Sequence, residues 1–320
     1  MPTVSIVSIF TRGARSSETP ELRTARVQAD IRRANEVWST GFAPGVSCGI
    51  NFVLLREFYR PEITIDAGTV TAGVGDQRII DLINETRAQV NNATAIYLVY
   101  LSGQTFSGGA VGNAGPRFEN FFNINNFTIF GRAALSDGAF ETYLLAHEVG
   151  HVLFGRFLSE DINSFTVNDP SNPGDPHNNN PQNIMFPFVP AMNPFLNSQQ
   201  CATASQSRVL LENAASTAGL TAMGFAGAAA GGGFAASGSS FGPMVNDESF
   251  DQMESSDPCG CSGEHHHNHP HHHHHHHDMH NNPKIVRKLN KRVDCLVKNI
   301  GPDKPEIFPK PPKKHKKDCY

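Results

Sequence analysis

The stretch LLAHEVGHVLF, residues 144–154, decides how the rest of this chain is read. Leu144, Leu145, Val152 and Leu153 recur at helical spacing and give the segment an apolar side, so a helix is expected over Phe140–Phe154. His147 and His151 stand at i and i+4, on one helix face and close enough to share a divalent ion. Glu148 lies beside them as a candidate base toward a water on that ion. HExxH also arises by chance in exposed helices. Two features favour the metal reading: the apolar side of this helix, and the distribution of the 16 histidines, of which only His147, His151 and His177 precede residue 265.

A catalytic zinc takes three protein ligands and keeps a fourth position for water. His177, in DPHNNNPQNIMFP at 175–187, is the candidate third ligand. Asp161 and Asp169 are alternative oxygen ligands, although loop Asp residues beside Asn, Pro and Ser more often shape turns.

Upstream, the pattern is that of an α/β domain. Strands are expected at Val4–Phe10, Ile50–Leu55, Ala95–Leu101, Ala110–Gly112 and Phe127–Phe130. Helices are expected at Glu21–Ser39, Asp76–Gln89 and Ser207–Met223. Three regions result: a folded domain at 1–224, a Gly-rich and His-rich disordered linker at 225–282, and a basic segment with a short helix at 283–320.

These residues resemble the metzincin clan of zinc metallopeptidases, most closely a bacterial matrixin, over residues 3–223. HExxH is followed by His177 and, eight residues later, by Met185 in a segment of the form N-x-M-x-P. ADIRRANEVW at 29–38 with Gly49–Phe52 resembles the first helix and second strand of that family, and SGGAVG at 107–112 its cleft-lining edge strand. The resemblance implies an α+β fold with a mixed twisted sheet, an active-site helix and a C-terminal helix, followed here by a disordered extension. It implies one catalytic Zn²⁺ on His147, His151 and His177, Met185 as a Met-turn floor beneath them, and Phe186–Pro190 as a wall favouring a hydrophobic residue after the cleaved bond. The reaction implied is endopeptidase hydrolysis of a protein or peptide substrate, with Glu148 taking a proton from a zinc-bound water and passing it to the leaving amine. The chain departs from the family in two ways. Phe154 stands where the family has Gly, with Gly155 one place late as a candidate left-handed helix stop, and about 20 extra residues within 155–176 separate the helix from His177.

Composition narrows the alternatives. The chain is 39% hydrophobic and 18% charged, with a net charge of −4. Residues 284–318 hold 12 Lys or Arg against 4 Asp or Glu, so the remainder is acidic and nucleic acid is not an expected partner. The basic helix KIVRKLNKRVDCLVKNI, with Ile285, Leu289, Val293, Leu296 and Val297 on one side, is read either as a contact to an anionic surface or partner, or as a solvated helix. HHHNHPHHHHHHHDMH at His265–His280 is a further, loose metal-binding tract, a solubilising spacer, or a tag. The cysteines leave the redox compartment open; Cys259 and Cys261 are candidate thiolate ligands or partners of Cys295 and Cys319. No apolar run is long enough to span a membrane and MPTVSIVSIFTRGARSS reads as a first strand, not a signal peptide. Localisation is therefore left between the cytoplasm and an extracellular, cell-surface or spore-surface position reached by a non-classical route. The competing reading is a non-enzymatic surface-coat or metal-binding protein on a metzincin-like scaffold.

Overall fold

Ile96–Tyr100, the sequence IYLVY, is buried at every position and forms the middle strand of the sheet. A run apolar on both faces needs cover on both faces, which parallel sheets flanked by helices provide. In the computed structural model, which describes residues 1–90, 92–210 and 283–298, five strands stand in the order β2-β1-β3-β5-β4. They are β1 (Thr3–Thr11), β2 (Asn51–Arg60), β3 (Ile96–Tyr100), β4 (Gly112–Asn123) and β5 (Asn126–Leu135). All pairings are parallel except β4 with β5. The fold is thus mixed α/β with a mixed sheet, and no helix among the described residues is long and apolar enough to cross a membrane.

Helix α1 (Pro20–Asn35) begins on Thr19, whose hydroxyl accepts from Leu22 N–H, with Pro20 in the first turn where its missing N–H costs nothing. Arg26 and Asp30 form a buried ion pair, and the Tyr100 hydroxyl donates to Asp30 at 2.9 Å. Burial raises the Asp30 carboxyl above its usual range, against the opposing pull of Arg26. The expected helix through Ser39 instead passes into a π-helical turn over Glu36–Thr40. That turn carries the fully buried Trp38, whose indole N–H donates to the Ala146 carbonyl at 2.9 Å. A buried indole needs such an acceptor, and the wider turn lies where this one is met.

Helix α2 (Gln77–Val90) follows the sequence reading closely, with Ile79, Leu82 and Ile83 buried. The β4–β5 hairpin does not. Two short strands were expected, yet β4 runs for 12 residues through GNAGPRFENFFN. Gly, Pro and Asn in that run depress any strand signal, but β4 is an edge, where Pro116 sacrifices no ladder bond. Phe118, Phe121 and Phe127 from the hairpin pack with Phe157 and Phe165 at centroid distances of 4.8–6.4 Å. Phe157 and Phe165 belong to the short antiparallel pair β6 (Arg156–Phe157) and β7 (Phe165–Thr166), so the inserted segment is stitched to the hairpin by aromatic packing.

Helix α3 (Leu144–Leu153) and the short α4 (Ser198–Ala204) complete the domain around the sheet, and α5 (Pro283–Lys298) lies against β4. The apolar side of α5 turns to its own chain, with Leu289, Val293 and Val297 buried, while Lys284, Arg287, Lys288 and Lys291 stay exposed. Phe118 N–H donates to Asn290 Oδ1 at 2.8 Å and Asn290 Nδ2 donates to the Phe118 carbonyl at 3.0 Å. One side-chain amide therefore occupies the outward N–H and C=O of Phe118 on an edge strand, where such groups otherwise invite pairing with another chain. Arg117 adds a hydrogen bond to the Asn290 carbonyl at 2.7 Å and an ion pair with Asp294. The expected helix over 207–223, the linker, the His tract and Cys259, Cys261 and Cys319 lie largely or wholly outside the described residues.

Val293→Asp places a charge at a site 1% exposed, at a cost of several kcal/mol to the docked state. Hydrogen exchange is expected to show the Phe118 amide losing protection while β3 amides keep theirs. Unchanged protection at Phe118 would contradict the role given to Asn290.

Candidate metal centre

All ten residues of α3 are buried, which is unusual for a helix carrying two histidines and a glutamate. The helix starts at Leu144 rather than at Phe140 because Glu141 has φ 61°, a left-handed conformation that breaks a helix. At its other end Phe154 is right-handed, and Gly155 is not among the positive-φ glycines. The left-handed stop expected at Gly155 is thus not formed. Gly155 serves space instead: a Cβ there would meet Pro116 Cγ at 3.0 Å and the Phe165 ring at 3.2 Å.

His147, His151 and His177 converge, with one ring nitrogen from each lying within 4.8 Å of the others. His147 Nε2 and His151 Nε2 are 3.1 Å apart. Two nitrogens bound tetrahedrally to one zinc at ~2.0–2.1 Å sit roughly 3.3–3.4 Å apart, so the pair is set near the spacing that shared coordination needs. The ring centroids of His177 lie 5.5 Å from His147 and 5.2 Å from His151. His147 Nδ1 lies 2.6 Å from the Ile184 carbonyl, which as an acceptor puts the proton on Nδ1 and turns Nε2 toward the other two rings. Three buried imidazoles in this arrangement could hold a metal ion.

The inserted segment brings His177 to the helix. Asp161 caps a turn by accepting from Asn163 N–H at 2.8 Å, and Asp169 is fully buried as an acceptor for Ser171, Asn178 and Gln200. Neither carboxylate belongs to the three-residue cluster, as the turn-forming habit of loop Asp suggested.

Met185 is fully buried beneath α3, so close to Gly150 that a Cβ there would collide with its sulfur. Glu148 is also fully buried, and a Cβ on Gly112 would strike its carboxylate and Leu144 Cδ2. The segment 107–112, read as an edge strand, is mostly the loop into β4; Gly112 alone belongs to the strand and abuts Glu148. Two structural contributors were missed. The Asn197-x-x-Gln200 capping box that begins α4 was legible as a spacing signature. The Cys48–Cys201 disulfide, which ties α4 to the loop after Trp38, was not, because its partners are 153 residues apart.

Removal of the His177 imidazole should weaken metal binding more than the ~10–100-fold typical of losing an outer-shell partner. Titration of His177→Ala with zinc against a competing chelator measures this. Wild-type affinity in that variant would exclude His177 as a ligand.

No protein-family profile matches the sequence, and no curated protein matches it. Among solved structures, the chain is similar to metalloproteinase-II from Bacteroides fragilis, at 15% identity and a TM-score of 0.37. The aligned region covers 66% of this chain and 53% of that one, so the chain spans about half the length of that protein. A likeness this low carries no argument about function.

Proposed function

We propose that the chain is a zinc-dependent endopeptidase. The observation that carries this reading is the convergence of His147, His151 and His177 with Glu148 on the same buried helix. Three neutral imidazoles with a neighbouring carboxylate suit zinc, and nitrogen donors without thiolates suit a catalytic rather than a closed structural site. Bound zinc supplies Lewis acidity to the scissile carbonyl and makes water a better nucleophile near neutral pH.

The chain's own residues supply the rest. Glu148 accepts the proton of the attacking water and returns it to the leaving amine. Gly112 leaves room for the Glu148 carboxylate against the start of β4. Met185 fills the space beneath the histidines, and Phe186 and Phe188, with ring centroids 6.1 Å apart, follow it. Phe186–Pro190, which the metzincin resemblance makes a wall of the cleft, supports a preference for a hydrophobic side chain next to the cleaved bond. Burying a carboxyl group costs stability, and a non-enzymatic scaffold would gain nothing from keeping one at position 148. The Cys48–Cys201 disulfide supports an oxidising location outside the cytoplasm.

Glu148→Gln is expected to retain the metal and to lose cleavage of a denatured protein by about 10²–10⁴-fold. Gly112→Val should act through the same carboxylate, sparing metal affinity while lowering turnover. Undiminished cleavage by Glu148→Gln would sink the mechanism.

A further inference from the structure

We infer that Gln200 is a positioning residue that sets His177 against His147 and His151, acting through Asp169 on one side and Asn183 on the other. This rests on the metal-site reading of the three histidines. Helix α3 by itself fixes only His147 and His151; His177 arrives on a loop with no regular secondary structure, and something must hold that loop in place.

Asp169 is the centre of the loop. Its carboxylate accepts from Ser171 N–H and Oγ, both at 2.7 Å, from Asn178 Nδ2 at 3.1 Å and from Gln200 Nε2 at 2.7 Å. Its own N–H donates to the Asp175 carbonyl at 2.9 Å. His177 lies within this wrapped segment, its N–H donating to Asp175 Oδ1 at 2.8 Å and its carbonyl accepting from Asn172 Nδ2 at 2.7 Å. The backbone around His177 is therefore placed wherever Asp169 is placed.

Gln200, fully buried, joins that knot to the other ligand-bearing side. Its amide pairs reciprocally with Asn183, both bonds at 2.9 Å, and Gln200 Oε1 also accepts from Asn197 N–H at 2.9 Å. Asn183 Oδ1 accepts from Met185 N–H at 2.9 Å. Between Asn183 and Met185 stands Ile184, whose carbonyl orients His147. One amide thus bridges the segment that aims His147 and the loop that carries His177. Gln200 has little freedom to yield, since its own N–H is capped by Asn197 and the next residue, Cys201, is bonded to Cys48. The charge-assisted bond to Asp169 is the strong link of the set, and severing it leaves a buried carboxylate one donor short.

Cobalt(II) titration of the full chain tests this, read both as a dissociation constant and as the visible ligand-field spectrum, which responds to coordination number. Gln200→Glu keeps the size of the side chain but turns a donor into an acceptor facing Asp169; Asp169→Asn is the isosteric change from the other side, should the first fail to fold. Each is expected to bind cobalt about 10–100-fold more weakly, with a spectrum shifted away from that of the wild type. In a His177→Ala background Asp169→Asn should add little, because the ring its carboxylate helps to place is gone. A folded variant with wild-type affinity and spectrum overturns the inference alone, as does full additivity of Asp169→Asn with His177→Ala. A wild-type chain that binds no cobalt overturns the metal reading and this inference with it.

Discussion

The hydrogen bond between His147 Nδ1 and the Ile184 carbonyl is the interaction around which the site is organised. It joins the buried helix to the chain below it and selects the ring nitrogen that faces His151 and His177. A histidine without this acceptor could present either nitrogen, and two such rings on one helix would not by themselves define a common point. With it, the convergence of three rings follows from the placement of two backbones.

That placement is costly and is held by several contacts. Polar groups at 0% exposure, such as His147, Glu148 and His151, sit inside a largely apolar layer, which costs stability unless they are hydrogen-bonded or paired. Trp38 reaches from the π-helical turn to the carbonyl of Ala146, one residue before His147. Its ring lies 6.0 Å from Phe154 at the far end of the same helix. Gly150 admits the Met185 sulfur where any side chain would exclude it. The indole and the thioether thus meet the helix on one face, at Gly150, where a Cβ would collide with the Met185 sulfur and meet Trp38 Cζ2 at 3.4 Å.

The edge of the sheet solves a different problem. β4 is the sheet edge, and its outward N–H and C=O at Phe118 meet the amide of Asn290 from a helix more than 150 residues later in the chain. The helix hides Leu289, Val293 and Val297 in the same contact and leaves its basic face to solvent. Edge protection and burial of an amphipathic face are therefore met by one docking event.

Local pattern carried far in this chain. The buried strands β1 and β3 follow from continuous apolar runs, and helices α1 and α2 and the pairing of His147 with His151 from a spacing of 3.6, because both signals are properties of neighbouring residues. Where several weak signals overlapped, local pattern fell short: β4 hides behind Gly and Pro, and the extent of α3 depended on the left-handed Glu141. The approach of His177 to the helix, the Asp169–Gln200 link, the Cys48–Cys201 bond and the docking of α5 were decided only by the tertiary structure. Each joins residues far apart in the chain, and the energy that selects such a contact comes from desolvation and hydrogen-bond satisfaction at the point of meeting, which no local stretch of sequence encodes. The sequence by itself determined which residue types could hold a metal and placed two of them on one helical face; whether the third could reach them was a question of loop geometry, answered by a buried carboxylate and an amide.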